Sequence, residues 1–200
     1  MSKRYDRAYF DRWYRGPAGA GRRALTARKA ALAVAVCEYY LGRPVQSVLD
    51  VGCGEGPWRA PLLRLRPKLH YLGLDSSEYA IARFGRSRNL RLARFGQLAE
   101  LRFSRSFDLL VCSDVLHYLP AAEIQRGLSG FPELCHGLAY IDVFCRGDPA
   151  EGDHEGFVAR PPAFYARAFA AVGLRPVGSH CYLLPAWGQH LSRLEQPGFA

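Results

Sequence analysis

Two carboxylates and three glycines crowd into one short stretch, Ser47-Val48-Leu49-Asp50-Val51-Gly52-Cys53-Gly54-Glu55-Gly56-Pro57-Trp58. The stretch reads as an apolar strand running into a glycine-rich turn, with a helix opening at Pro57. Glycine holds backbone angles closed to other residues and, lacking a Cβ, lets a ligand approach the main chain. A dinucleotide fingerprint would be G-x-G-x-x-G, with a pyrophosphate on the helix N-terminus. Gly52 and Gly54 fill its first two places, but Pro57 stands at the third. The loop also carries Asp50 and Glu55 and no Lys or Arg. Two carboxylates repel a pyrophosphate and attract a cation, so a ligand bearing an ammonium or a sulfonium group suits this loop better.

More acids stand at the ends of strand-like runs. Tyr71-Leu72-Gly73-Leu74-Asp75 ends in a carboxylate roughly 20 residues beyond the glycine loop, where a Rossmann-type site hydrogen-bonds a ribose diol. An ionised carboxylate accepts hydrogen bonds through both oxygens. Capping the helix that opens near Ser77 is a compatible second role for Asp75. Phe107 to Asp114 is a further strand ending in polar groups, followed by Val115-Leu116-His117-Tyr118-Leu119-Pro120.

In this order and spacing the chain resembles the class I S-adenosylmethionine-dependent methyltransferases of the compact, small-molecule kind. The resemblance is specific from about Val45 to Val111 and looser toward the C-terminus. It implies S-adenosylmethionine as cofactor, with Asp50 holding the amino-acid end and Gly52, Cys53, Gly54 and Gly56 forming the approach loop. Asp75 then takes the ribose, with Ser76 beside it. Gln97 and Leu98 would meet the adenine; Gln97 stands where the family often has an acid. Ser113 would face the cofactor. Asp114 and His117 are the candidate catalytic groups, since a neutral imidazole removes a proton from an amine or hydroxyl acceptor. Packing or cofactor contact is the alternative role for His117.

On the acceptor side, Asp142 to Tyr165 leaves a strand for a loop holding Asp148, Glu151, Asp153, His154 and Glu155. Long loops over a sheet's C-terminal edge are usually functional. Asp153, His154 and Glu155 are expected to meet the acceptor there, as a lid, or else to be plain surface. Tyr5, Tyr9 and Trp13 recur at helical spacing near the N-terminus. Tyr9 and Trp13 are candidates for the opposite wall, or for packing of a covering helix.

The elements that must position these residues alternate. Strands are expected near 47–52, 71–75, 90–94, 107–113 and 138–144, and helices near 57–65, 77–84, 120–128 and 162–172. Alternation of this kind argues an α/β fold, a mostly parallel sheet with helices on both faces. The resemblance makes it a Rossmann-like, seven-stranded sheet whose last strand is antiparallel. Ahead of it, residues 1–44 form a helical lead-in with a helix from Leu25 to Leu41, and 45–200 the core of a single domain. The tail from Leu174 to Glu195 is expected to be a strand pair with Pro185 to Gly188 between, and the His190 to Gln196 stretch as the last strand.

Composition bounds the function. Two hundred residues, 49% of them hydrophobic, bury a substantial core. No apolar run reaches the ~20 residues of a membrane span, and Met1 to Arg15 lacks a signal peptide's form. A cytoplasmic protein with no membrane partner is expected. Six cysteines without a C-x-x-C argue against a zinc site, and no metal is expected. The net charge of +9 admits nucleic acid, yet the bases are spread along the chain. The tightest group, Arg83, Arg86, Arg88, Arg91 and Arg94, reads first as a solvated helix end. A small-molecule acceptor methylated on O or N is the favoured reading. An RNA or protein methyltransferase and a non-catalytic scaffold are its rivals.

Overall fold

The computed structural model describes residues 5–15, 19–149 and 153–192. Seven strands form one sheet: β1 (Ser47–Val51), β2 (His70–Asp75), β3 (Leu90–Leu92), β4 (Phe107–Ser113), β5 (Cys135–Asp142), β6 (Arg175–Gly178) and β7 (Cys181–Leu183). Their spatial order is β3-β2-β1-β4-β5-β7-β6. β7 alone runs against its neighbours, pairing antiparallel with both β5 and β6. Strand order reverses between β1 and β4, and the crevice at such a switch point is where open α/β sheets bind ligands.

The central strands read as unbroken apolar runs because both sheet faces are covered. Along β4 the side chains alternate between two cores. Leu110 and Cys112 pack with Ile124 and Leu128 of α5 (Ala121–Leu128) and with Tyr165 and Phe169 of α7 (Pro162–Ala171). Leu109 and Val111 face the other way, against Ala33, Val34 and Cys37 of α2 (Gly19–Leu41) and Leu62 of α3 (Arg59–Leu65). α1 (Arg7–Tyr14) precedes α2, and α4 (Glu78–Arg88) links β2 to β3. α4 starts at Ser77, whose hydroxyl accepts from the Ala80 amide, and ends at Asn89 in the left-handed region. α5 leads to the one-turn α6 (Phe131–Leu134) and so to β5.

Three expectations need correction. The C-terminal strand pair turns at Ser179-His180, not at Pro185 to Gly188. Both residues of that turn have positive φ, +48° and +65°, the geometry of a two-residue hairpin loop. Pro185 instead opens a 3₁₀ turn (Pro185–His190). The stretch from His190 therefore contributes no strand among the described residues, and β7 takes the antiparallel place. Residues 193–196 lie outside them. α2 also begins at Gly19, ahead of the expected Leu25.

The lower ends of β1, β4 and β5 meet at one buried carboxylate. Asp108 accepts from Arg43 through Nη1 at 3.2 Å and Nη2 at 2.6 Å, and from the Gln46 and Ser47 amides at 2.7 and 3.1 Å. Burial pushes its carboxyl up, but the Arg43 and amide hydrogen bonds outweigh that and hold it below the usual carboxylate range. Asp108→Asn is expected to cost about 2–3 kcal/mol at neutral pH, the scale of hydrogen bonds to a charged group. A depressed folded-state pKa stabilises above the unfolded value and is lost as pH falls through the folded one. The deficit should therefore shrink below about pH 4. Urea unfolding across pH 3–7 checks this, and a pH-independent deficit would refute it.

Candidate active site

At the carboxyl ends of β1, β2, β4 and β5 the chain carries Asp50, Asp75, Asp114 and Asp142, around two adjoining cavities of about 380 and 340 Å³. Tyr9, Tyr14, Gly52, Ser113, Asp114 and Tyr118 line both, so they form the junction.

The first cavity lies over β1 and β2. Asp75, mostly buried, accepts from the Gly54 amide at 2.6 Å through one oxygen and from the Ser77 amide at 2.7 Å through the other. The carboxylate keeps acceptor capacity for a ligand. Burial raises its carboxyl above the ordinary value despite the amides of Gly54, Ser77 and Ser76. Leu74, Ser76, Phe95 and Leu98 continue the wall, and Tyr5, Tyr9, Phe10 and Tyr14 roof it from α1 and the residue ahead of it. Burial lifts the Tyr5 hydroxyl to about 12, with the charges of Asp75, Asp153 and Glu155 adding to it. Two glycines of the loop are required on steric grounds. Gly52, at φ +70°, would put a Cβ 2.2 Å from Val115 Cγ2, and Gly54, at φ +52°, would put one 3.1 Å from the Phe10 ring.

The second cavity lies between α2 and the ends of β4 and β5. Asp50, Cys53, Trp58, His117, Phe144 and Asp153 line it with Trp13, Arg22, Thr26 and Lys29. Lys29 is ion-paired with Asp142 across the chain, and the Ser113 hydroxyl stands 3.5 Å from the same carboxylate. Asp114 has φ +61°, which Asp tolerates better than most residues. Its amide donates to the Asp142 carbonyl at 3.0 Å. Burial raises its carboxyl, the Lys29 charge opposing and Asp142 adding. The His117 ring is buried among Tyr118, Phe144 and Phe157, with Nδ1 placed 3.4 Å from the Phe144 amide.

Several sequence-derived residues sit elsewhere. Gln97 does not reach either cavity, because its side-chain oxygen accepts from the Arg94 amide at 2.7 Å, capping its own 3₁₀ turn (Phe95–Ala99). Gly56 serves the turn, at φ +79°, and lines neither cavity. His154 and Glu155 are exposed and outside both, while Asp153 lines the second. Glu151 lies outside the described residues. The loop's acidity is also largely offset. Glu55 is ion-paired with Arg15, and Asp50 accepts from the Tyr71 hydroxyl at 2.6 Å. Burial lifts Asp50 to about 7, against the Tyr71 hydrogen bond and with the help of the Asp75 charge. Arg22, Lys29, Tyr14 and Tyr118 were not singled out from sequence. The spacing of Arg22, Thr26 and Lys29, one face of a helix, was the available signal.

Residues 49–136 match a family model described as a methyltransferase domain. The trans-aconitate 2-methyltransferase of Deinococcus radiodurans is 42% identical over 80 residues, which span 39% of this chain and 30% of that protein. The fold is shared with the sugar N-methyltransferase KedS8 of Streptoalloteichus (TM-score 0.62, 19% identity, 80% of this chain and 87% of that one). It is shared too with the magnesium protoporphyrin IX methyltransferase of Synechocystis, solved with bound SAH (TM-score 0.63, 19% identity, 85% and 86%).

The raised Asp50 gives a pH test of the ligand-free site. Between about pH 4 and pH 7 the folded state holds a proton that the unfolded state releases, so this group makes stability fall as pH rises. Asp50→Asn removes the effect. The variant should gain on the parent protein across that window and hold a constant advantage above it. Urea midpoints at pH 4.5, 6 and 7.5 check this, and parallel curves would count against a protonated Asp50.

Proposed function

Since this chain belongs to the class I S-adenosylmethionine-dependent methyltransferase family, we propose that it transfers a methyl group from that cofactor to an O or N atom of a small molecule. The observation that carries this reading is the pair of cavities meeting at Gly52, Ser113 and Asp114, one below a ribose-type carboxylate and one beside proton-accepting groups. When bound, S-adenosylmethionine supplies a methyl group activated by its sulfonium. The residues present suit it. Asp75 faces the first cavity with acceptor capacity for a diol, Leu74 and Leu98 offer apolar surface for a base, and Gly52 and Gly54 leave room against the main chain.

Methyl transfer is an in-line displacement, for which the protein chiefly aligns the acceptor and excludes water. The Tyr9, Tyr14 and Tyr118 rings enclose the junction. Asp114 lines both cavities and takes the acceptor proton on a carboxylate oxygen; burial lifts its pKa toward that of a usable base. His117 lines only the second cavity, with Nδ1 turned to the Phe144 amide, and is the alternative base through Nε2.

The cavity sizes favour a small acceptor. The relatives' names, citing trans-aconitate, a sugar and magnesium protoporphyrin IX, support the same class. An RNA acceptor draws less support, because Arg88 of the basic group is bound to the Glu55 carbonyl and lies over the Phe84 ring at 3.8 Å. No helix among the described residues is long and apolar enough to cross a membrane, and we place the protein's work in the cytoplasm.

S-adenosylmethionine and SAH should raise the melting temperature and NAD should not, because binding to the native state stabilises it. Stabilisation by NAD alone would overturn the reading. Asp75→Ala should weaken SAH binding by about 1.5–3 kcal/mol. With any acceptor that is turned over, Asp114→Asn should slow single-turnover chemistry by about 10²-fold, leaving SAH affinity close to the parent's. If His117→Ala shows that loss and Asp114→Asn does not, the base is His117.

A further inference from the structure

Several cations in part-buried positions are paired with carboxylates. Arg15 pairs with Glu55, Lys29 with Asp142, Arg43 with Asp108 and Arg66 with Glu38. Arg22 is different. It lines the second cavity and is half-buried, and among the described residues no carboxylate lies within ion-pair distance of it. Among the described residues its one hydrogen bond runs from Nη1 to the Trp13 carbonyl at 2.9 Å, which leaves most of its five donors unspent there. The guanidinium also lies over the Trp13 ring, 5.6 Å from the centroid, with Arg12 at 5.2 Å from the same ring. Carbonyl and ring together hold the guanidinium in place, so a partner bound to it loses less to ordering the side chain.

We propose that Arg22 anchors a carboxylate of the acceptor, so that the second cavity takes small carboxylic acids. This rests on the methyl-transfer reading of the same site. A guanidinium presents a planar fork that matches a carboxylate with two parallel N–H···O bonds. Beside it the cavity offers Trp13, Trp58 and Phe144 as apolar walls, and about 340 Å³ limits the body of the acid. Of the three cations that line the cavity, Lys29 is already taken by Asp142 and Arg23 is exposed, so Arg22 is the half-buried cation left without a carboxylate among the described residues.

The cofactor's own carboxylate is the other source of the same chemistry. Position favours the acceptor. The Arg22 charge acts on Asp114, Tyr14 and Tyr118, opposing the upward push of burial on each. All three line the junction. Asp50 and Cys53 of the glycine loop line the same cavity, but Asp50 feels chiefly burial, Tyr71 and Asp75, and its carboxylate is bonded to the Tyr71 hydroxyl. An anion on Arg22 therefore lies toward the acceptor side of the junction and brings the rest of its molecule to Asp114.

The test is calorimetric and uses benzoate and its neutral counterpart benzamide as probes, with the protein saturated in SAH. The parent protein should bind benzoate about tenfold or more tightly than benzamide, the scale of charge-assisted hydrogen bonds. Arg22→Met should abolish that preference and Arg22→Lys should keep part of it, while SAH affinity stays within about twofold. Equal affinities in the parent protein would overturn the proposal. So would a preference that survives Arg22→Met, most clearly if the same change weakens SAH, since the guanidinium then serves the cofactor. If the methionine variant does not fold, the parent's benzoate preference and its decline in Arg22→Lys decide. Should the parent bind no SAH, the methyl-transfer reading fails, and the same probe comparison on the ligand-free protein still decides whether Arg22 holds a carboxylate.

Discussion

One buried carboxylate ties the two loops on which the first cavity is built. Asp75 ends β2, yet its oxygens accept from Gly54 in the loop after β1 and from Ser77 at the start of α4. The register of the two strands makes this possible, with Asp50 opposite Gly73 and Val51 opposite Leu74, and the Gly52 and Cys53 amides both donating to the Leu74 carbonyl. A charge taken out of water is tolerated only when it is hydrogen-bonded, and here the bonds come from the main chain of the two loops. The shape of the glycine loop and the readiness of Asp75 to accept a ligand are therefore one interaction. Removing the carboxylate would free the loop as well as empty the site.

The roof of that cavity depends on packing of a different kind. α1 is only eight residues long, too short to be stable alone. It is held by Asp6 accepting from the Tyr9 amide, by the Arg15–Glu55 ion pair and by the Phe10 ring, which lies over Gly54 and stacks with Tyr79 at 5.8 Å. Just ahead of it, the Tyr5 carbonyl accepts from the Ser77 hydroxyl at 2.5 Å. Gly54 is thus constrained twice, by its positive φ and by the aromatic ring above it. Elements with few buried contacts open at lower free energy than the sheet they cover, so the roof is the part of the first cavity that local opening reaches first.

What was legible in the sequence is what local pattern controls. The apolar runs of β1, β2 and β4 and the acid at Asp75 follow from spacing alone, and the sheet is mostly parallel with an antiparallel last strand, as expected. What was not legible depends on distant partners or on turn chemistry without the usual residues. Arg15 neutralises Glu55 from 40 positions away, and Lys29 reaches Asp142 across 113. An acidic loop in sequence is consequently a nearly balanced one in space. The Ser179-His180 turn holds positive φ without Gly or Asn at either place, and only Gly178 just before it marks the turn in the sequence. Gln97 looked free to meet a base, but an amide three residues earlier claimed its oxygen first.

The charge distribution left after these pairings explains why a site of this form waits for two ligands of opposite sign. Of the four aspartates at the strand ends, Asp142 has a cation, whereas burial pushes Asp50, Asp75 and Asp114 above the ordinary carboxylate range. A positive group near the junction would favour their ionised forms and be favoured by them in turn, since an opposite charge nearby lowers a carboxyl pKa. In the second cavity the reverse holds at Arg22, whose guanidinium has no carboxylate within ion-pair distance among the described residues. The two imbalances meet at Asp114, which lines both cavities and feels the Arg22 charge. Each ligand thus completes one half of a charge arrangement that the fold leaves open, and binding of either changes the field the other meets.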